Sequence, residues 1–311
     1  MTKSIPFGAR STADKVLAGI DLTGKRFVVT GCSSGIGFET MSALSANGAH
    51  VIGLARSLEA AEIACGEVGL ASTPVACDLA DLDSVAAAGA AIRELHGPLD
   101  GIIANAGIAN LPVLQTRYGV EMQFLVNHIG HFALVNSLLD QVRNGTGRIV
   151  IVSSRASFKQ APPEGIMFDN LDGGRFYEPS IFYGQSKLAN ALFAKELSRR
   201  LGARGIAVNS LHPGATRGTG INKHLELPSK LALAAAYSFM KSAPRAAATQ
   251  ALLAANPQVG GITGEFWADC QIAKGSPLLE NTELAKRLWD VSEDILALHG
   301  APAAKSLREA A

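Results

Sequence analysis

Two hydrophobic periods alternate along this chain. Short runs of aliphatic and β-branched residues, suited to strands covered on both faces, recur between longer stretches with helical spacing. Gly24-Lys-Arg-Phe-Val-Val-Thr30 reads as the first strand, and a helical pattern follows it to about Asn47. His50 to Ala55 is the second strand and Thr73 to Cys77 the third. Asp81 is suited to cap a helix that runs to about His96. Gly101 to Gly107 reads as the fourth strand and its exit turn. This alternation predicts an α/β fold, a single Rossmann-type doubly wound parallel sheet with helices on both faces. A ligand then belongs at the carboxyl ends of the strands.

In the second half the pattern predicts a helix from roughly Thr116 to Val142, with Asn127 in its apolar middle. Such a residue either hydrogen-bonds a buried neighbour or serves a site. Arg148 to Val152 is a strand ending in Ser153-Ser154. The connection from Arg155 to Ser180 carries the turn signals Pro162-Pro163 and Asp172-Gly-Gly174, and its length marks it as either functional, as one wall of a substrate pocket, or disordered. A helix from about Ile181 to Leu201 and a strand from Ala207 to Leu211 come next. Leu227 to Met240 reads either as an apolar flap over the site or as an ordinary core helix. Ser242 and Pro244 start another helix, and Gly264 to Trp267 forms a last short strand. Leu284, Leu288, Val291 and Ile295 place one face of a final helix against the body. Residues 1–20 are expected to drape over the surface as an extension. Residues 21–298 form one dinucleotide-binding and catalytic domain, and 299–311 are a tail.

Composition narrows the picture. The chain has 311 residues, 48% hydrophobic and 18% charged, which marks a globular protein with a large core. A net charge of +1 gives no footprint for nucleic acid. Cys32, Cys65, Cys77 and Cys270 form no CxxC pair, so neither a zinc site nor any other metal is expected, and a reduced, cytoplasmic setting is the simplest inference. The most apolar stretch, Leu231 to Met240, is too short for a membrane span.

Three patterns carry candidate chemistry. The first is Gly31-Cys-Ser-Ser-Gly35-Ile-Gly37, set between a strand and a helix. Such a turn presents backbone N–H groups and a helix N-terminus to a phosphate. The second lies at the ends of the next two strands. Arg56, with no acid beside it, suits the 2′-phosphate of NADP(H), with NAD(H) as the alternative. Asp78 either accepts from an adenine amine or caps its own turn. The third is Tyr183-Gly-Gln-Ser-Lys187, in which Tyr183 and Lys187 share one helix face. A nearby ammonium lowers a phenol's pKa and makes it a usable proton donor or acceptor. His128 and His131 lack metal-ligand spacing and read as structural.

Thr30 to Gly37, Ala104-Asn105-Ala-Gly107, Asn127, Ser154 and Tyr183-x-x-x-Lys187 stand in the order of the short-chain dehydrogenase/reductase family, which this chain resembles from about Leu22 to Leu298. Ser186-Lys-Leu-Ala-Asn190 and Glu283 to Trp289 look more like the retinol-dehydrogenase and WW-domain-oxidoreductase branch. Ala104 departs from the second asparagine frequent in the family. The resemblance implies Tyr183 as acid and base, Lys187 on its pKa and on the nicotinamide ribose, Ser154 (rather than Ser153) on the substrate oxygen, and Asn127 positioning a relay water. It implies a cofactor lined also by Ser33, Ser34, Ile36, Leu79, Asn105, Ala106 and Gly107, with Pro213, Gly214 and Thr216 at the nicotinamide amide. The implied reaction interconverts an alcohol and a carbonyl compound. A cofactor-binding regulatory protein and a carbon–carbon double-bond reductase are the alternatives. Phe158, Phe168 and Phe176 read either as a cluster near the site that hints at a lipophilic small-molecule substrate or as packing within the loop. A homo-oligomer is compatible with the sequence.

Overall fold

Val28 and Val29, like Ile149, Val150 and Ile151, are 0–1% exposed, as parallel strands covered by helices on both faces must be. The computed structural model describes residues 5–69, 72–95, 97–217 and 240–300. Within these the strands are β1 (Arg26–Thr30), β2 (His50–Ala55), β3 (Ser72–Ala76), β4 (Gly101–Ala104), β5 (Thr116–Arg117), β6 (Val120–Glu121), β7 (Arg148–Val152), β8 (Ala207–His212), β9 (Phe266–Ala268) and β10 (Gln271–Ile272). Eight of them form one sheet in the order β3-β2-β1-β4-β7-β8-β9-β10. All neighbours run parallel except β9 and β10. The chain fills the β3 side first and then crosses over to β4, so the connections diverge between β1 and β4 and open a crevice at their carboxyl ends.

Successive side chains of a strand face opposite ways. Val28 therefore joins the core on one face of the sheet, with Ile52, Ile102 and helices Leu82–Glu94, Gly130–Leu138, Pro179–Arg200 and Thr282–Leu298. Phe27 and Val29 join the other, with Met41, Leu44, Leu252 and Trp267 from helices Gly35–Ala46 and Ala243–Ala255 and from β9. The doubly wound sheet is thus the expected one, and the antiparallel edge strand β10 is an addition to it. Leu288 of the last helix is buried, and Leu284, Val291 and Ile295 pack partly buried beside it. Trp289 packs edge-on against Phe132 with ring centroids 4.9 Å apart.

Three expectations need correction. Residues 1–20 do not all drape over the surface. Ala13–Leu17 is a helix with Ala13, Val16 and Leu17 at most 1% exposed, and the Asn256 amide donates to the Val16 carbonyl at 2.7 Å. The helix expected from Thr116 begins instead at Met122, after a hairpin of β5 and β6. Tyr118 (φ +58) and Gly119 (φ +70) make its two-residue left-handed turn, and Glu121 then caps the helix by accepting from the Gln123 and Phe124 amides at 2.9 and 3.0 Å. Phe158, Phe168 and Phe176 do not cluster. Phe158 stands edge-on to Phe266, Phe168 lies under the Arg287 guanidinium, and Phe176 is half exposed. The expected flap over Leu227 to Met240 lies, apart from Met240, outside the described residues. No helix among the described residues is long and apolar enough to cross a membrane.

Candidate active site

The carboxyl end of β1 is tied to that of β4 by one hydroxyl. Thr30 Oγ1 accepts from the Asn105 and Ala106 amides at 2.9 and 3.0 Å, and the Asn105 side chain donates back to the Thr30 carbonyl at 2.9 Å. The chain then turns through Gly31 at φ +69 and enters helix Gly35–Ala46 at Gly35, φ +59, values that favour glycine. Gly37 is required by contact. A β-carbon there would collide with the Gly31 carbonyl and stand 2.6 Å from Asn105 Nδ2. Ser34, the N-cap, makes no side-chain capping bond. The first amides of the helix therefore lack a side-chain cap, as an anion-binding turn needs. This cradle, which a β-carbon would fill, fits the pyrophosphate of a dinucleotide.

A cleft of about 990 Å³ runs from this turn along the strand ends. Its lining includes Gly31, Ser33, Ser34, Gly35, Ile36, Gly37, Arg56, Asp78, Leu79, Asn105, Ala106, Gly107, Ser154, Tyr183, Lys187, Pro213, Gly214 and Thr216. Arg56 is exposed at the end of β2. Asp78 caps its own turn, accepting from the Ala80 amide at 3.0 Å while still facing the cleft.

At the other end stands helix Pro179–Arg200, capped by Glu178. It presents Tyr183 and Lys187 to the end of β7. The Ser154 hydroxyl stands near enough to the Tyr183 phenol to favour its ionised form and accepts from the Ala156 amide at 3.1 Å. Ser153 turns the other way and donates to the Lys187 carbonyl at 2.7 Å. Of the serine pair it is therefore Ser154 that faces Tyr183. Lys187 Nζ donates to the Val152 carbonyl at 3.2 Å and lies 6.0 Å from the Tyr183 ring centroid.

The expected electrostatics need correction. Tyr183 is not lowered. Burial pushes its phenol up to about 12, against the opposing effect of the Ser154 hydroxyl. Burial also brings Lys187 down to about 8. For both groups the cost of ionising away from bulk water is the largest effect.

Asn127 does not line the cleft; it stands behind the wall, 0% exposed. Its turn, Leu125–Ile129, is π-helical within the long helix, a distortion frequent at functional sites. Its Oδ1 accepts from the Ile108 amide at 2.8 Å. Its Nδ2 donates to the Ile108 carbonyl and to Ser186 Oγ, each at 2.9 Å. The Asn127 side chain thus ties the β4 exit loop to the Tyr183 helix.

Several supporting groups were not singled out from the sequence as part of the site, and His131 was read only as structural. His131 Nδ1 donates to the Asn127 carbonyl at 2.9 Å, so its Nε2 accepts from Thr30 Oγ1 at 2.8 Å. Gln250 reaches Thr40 Oγ1 and, at 3.3 Å, Asn105 Oδ1. Asn110, in the cleft wall, is held at φ +53 with its amide on Gln123 Oε1 at 2.7 Å. Asn110, Gln123 and His131 stand close to flagged motif residues, whereas Gln250 reaches the turn only through the fold. Among the described residues no group of His, Cys, Asp and Glu is placed to hold a metal.

The family model for short chain dehydrogenases matches residues 25–166. The chain is 38% identical over 300 residues to short-chain dehydrogenase TIC 32 B, chloroplastic, of Brassica napus, covering 92% of this chain and 93% of that one. It is 36% identical to human retinol dehydrogenase 14, covering 88% and 87% of the two chains. The WW domain-containing oxidoreductase of Pongo abelii is likewise 36% identical, covering 93% of this chain and 72% of that one. Among solved structures, an uncharacterised protein from Mycobacterium paratuberculosis matches with a TM-score of 0.72 at 29% identity, covering 91% and 97%. A dehydrogenase/reductase from Sinorhizobium meliloti matches at 0.62 and 26%, covering 82% and 95%.

Proposed function

The chain belongs to the short-chain dehydrogenase family, and we propose that it is an NADP(H)-dependent oxidoreductase that interconverts an alcohol and its carbonyl compound, with Tyr183 as acid and base. The observation that carries this reading is the Ser154–Tyr183 hydroxyl pair, set beside a buried Lys187 in the same cleft as the glycine turn. An ammonium that is 2% exposed destabilises a fold. Cofactor binding alone would not also require a phenol and a serine hydroxyl side by side next to it.

The reduced nicotinamide supplies the hydride when bound. The chain's own residues do the rest. Ser154 and Tyr183 hydroxyls converge on the position of a carbonyl oxygen and donate to it as charge develops. A phenol at about 12 keeps its proton at neutral pH and can give it to that oxygen. Lys187, charged below about 8, then stabilises the phenolate left behind. In alcohol oxidation the same phenol must be lowered first, which the positive ring of an oxidised nicotinamide would favour when bound. Asn127 holds the loop and the helix in register. Arg56 supports NADP(H) over NAD(H), because its end of β2 meets the adenosine ribose in this fold. The likeness to retinol dehydrogenase 14 supports a lipophilic alcohol or carbonyl compound as substrate, as do Leu111 and Met240 in the cleft lining. We place the protein in the cytoplasm on its free, buried cysteines.

Two variants test this. Tyr183→Phe should lower turnover by about 10³-fold or more, followed at the nicotinamide absorbance, while NADPH still binds. Unimpaired turnover would end the acid–base role. Arg56→Asp should move the kcat/KM ratio toward NADH by at least about tenfold. An unchanged ratio would show that Arg56 does not read the phosphate.

A further inference from the structure

Lys241 is held in place on every side. Its amide donates to the Ala215 carbonyl at 2.8 Å, and its carbonyl accepts from the Arg217 amide at 3.0 Å, pairing it with Thr216 in an isolated parallel bridge. Its stem covers Gly214, where a β-carbon would stand 2.8 Å from Lys241 Cδ. Gly214 itself is at φ +99. The ammonium reaches Asp269 Oδ1 at 2.6 Å, and the lysine side chain is only 16% exposed.

Asp269 is placed with equal care. Asp269 and Cys270 both lie in the left-handed region, φ +55 and +60, as the two-residue turn between β9 and β10. A turn of this kind normally takes Asn-Gly or Asp-Gly. Here the Cys270 amide donates to Thr249 Oγ1 at 3.0 Å, which fixes the turn to helix Ala243–Ala255. The edge hairpin thus aims one carboxylate at one ammonium under the loop Pro213–Thr216, which lines the cleft.

We propose that Lys241 and Asp269 form a latch that positions the Pro213–Thr216 loop against the nicotinamide end of the cofactor, an inference that rests on the function proposed above. Both are positioning residues. Neither donates to the reacting atoms, and the effect of each passes through the backbone of Ala215 and the covered face of Gly214.

The test uses Lys241→Met, which keeps the stem, Asp269→Asn, which tolerates a left-handed backbone, and the two combined. The probes are NADPH and adenosine 2′,5′-bisphosphate, which occupies only the adenine end. Each single variant should weaken NADPH binding and lower kcat by about tenfold, the range expected when a half-buried ion pair loses one partner. Bisphosphate binding should stay unchanged. The double variant should be no worse than either single one, because both remove the same contact. Hydrogen exchange at the Arg217 and Lys241 amides should quicken in both variants. Lys241→Arg should restore slow exchange and turnover. Equal weakening of both probes, additive losses, or unchanged exchange at these amides would each overturn the latch. A wild-type protein that binds no nicotinamide nucleotide would overturn the proposed function instead, and the exchange measurement would still judge the latch.

Discussion

Lys187 shows at the scale of one residue how function and stability oppose each other. Burial lowers its ammonium from 10.5 to about 8. At 1.36 kcal/mol per pH unit this is a penalty of roughly 3 kcal/mol on the folded state. Below about pH 8 the lysine is protonated whether folded or not, and the penalty is felt in full. Between about 8 and 10.5 the unfolded chain binds more protons, so this residue's contribution to stability rises with pH. Tyr183, raised from 10 to about 12, acts in the opposite sense at still higher pH. Lys187→Met should therefore raise the urea midpoint at pH 7 while abolishing turnover. The Val152 carbonyl would keep its second donor, Asn190 Nδ2 at 3.0 Å. A lower midpoint would mean that the ammonium stabilises the fold after all. Tyr183 and Lys187 were legible in the sequence because helix geometry alone puts them on one face. The direction of the Tyr183 shift was not. It depends on how deeply the fold encloses the phenol, and spacing along a chain carries no measure of that.

The glycine turn is the element on which cofactor binding rests, and its sharpest test is a methyl group. Gly37→Ala places a β-carbon against the Gly31 carbonyl and 2.6 Å from the Asn105 side chain. Both are held, by the turn and by Thr30, so neither can yield cheaply. NADPH affinity should fall by more than about tenfold and the melting temperature by several degrees, the scale of an overpacked contact. Gly66→Ala is the matched control. Gly66 lies inside helix Leu58–Val68 with open space where a β-carbon would go, so that variant should gain about 0.5–1 kcal/mol with cofactor affinity unchanged. Equal behaviour of the two variants would show that Gly37 is not a contact glycine. Elements differ in how plainly the chain declares them. β2 and β7 match the expected limits, since a fully buried β-branched run admits few other readings. The hairpin before Met122 was hidden because Tyr118 takes a left-handed conformation that its residue type does not announce. The π-turn around Asn127 was hidden for a related reason. Its apolar neighbours fit a regular helix equally well, and only the bonds to Ile108 and Ser186 reveal what the asparagine holds.

On the scale of the whole molecule, two buried imidazoles and a partly buried one make the protein sensitive to acid. Burial lowers His128 to about 3, and His131 and His212 to about 4. In the unfolded chain they titrate near 6.5, so between about pH 6.5 and 4 the unfolded state binds more protons and stability falls as pH falls. For His131 the limiting loss is roughly 3 kcal/mol. The urea midpoint should therefore drop steadily from pH 6.5 to 4, before most carboxylates titrate. His128→Phe should flatten that slope by about one proton. The ring sits among Phe124, Phe132 and Phe193, and Ser292, which receives its Nε2, keeps its own bond to the Leu288 carbonyl at 2.7 Å. His131 adds a second consequence. Its Nε2 accepts the Thr30 hydroxyl proton, while that same oxygen accepts the Asn105 and Ala106 amides. A protonated ring would put a fourth hydrogen on an oxygen that has room for three. The bond that joins β1 to β4 beneath the glycine turn would break. The folded ring gains its proton only as the pH nears about 4, so NADPH affinity should hold while stability begins to fall below 6.5, and should drop only close to pH 4. An affinity that holds through pH 4 in protein still folded would show that the turn does not depend on this imidazole.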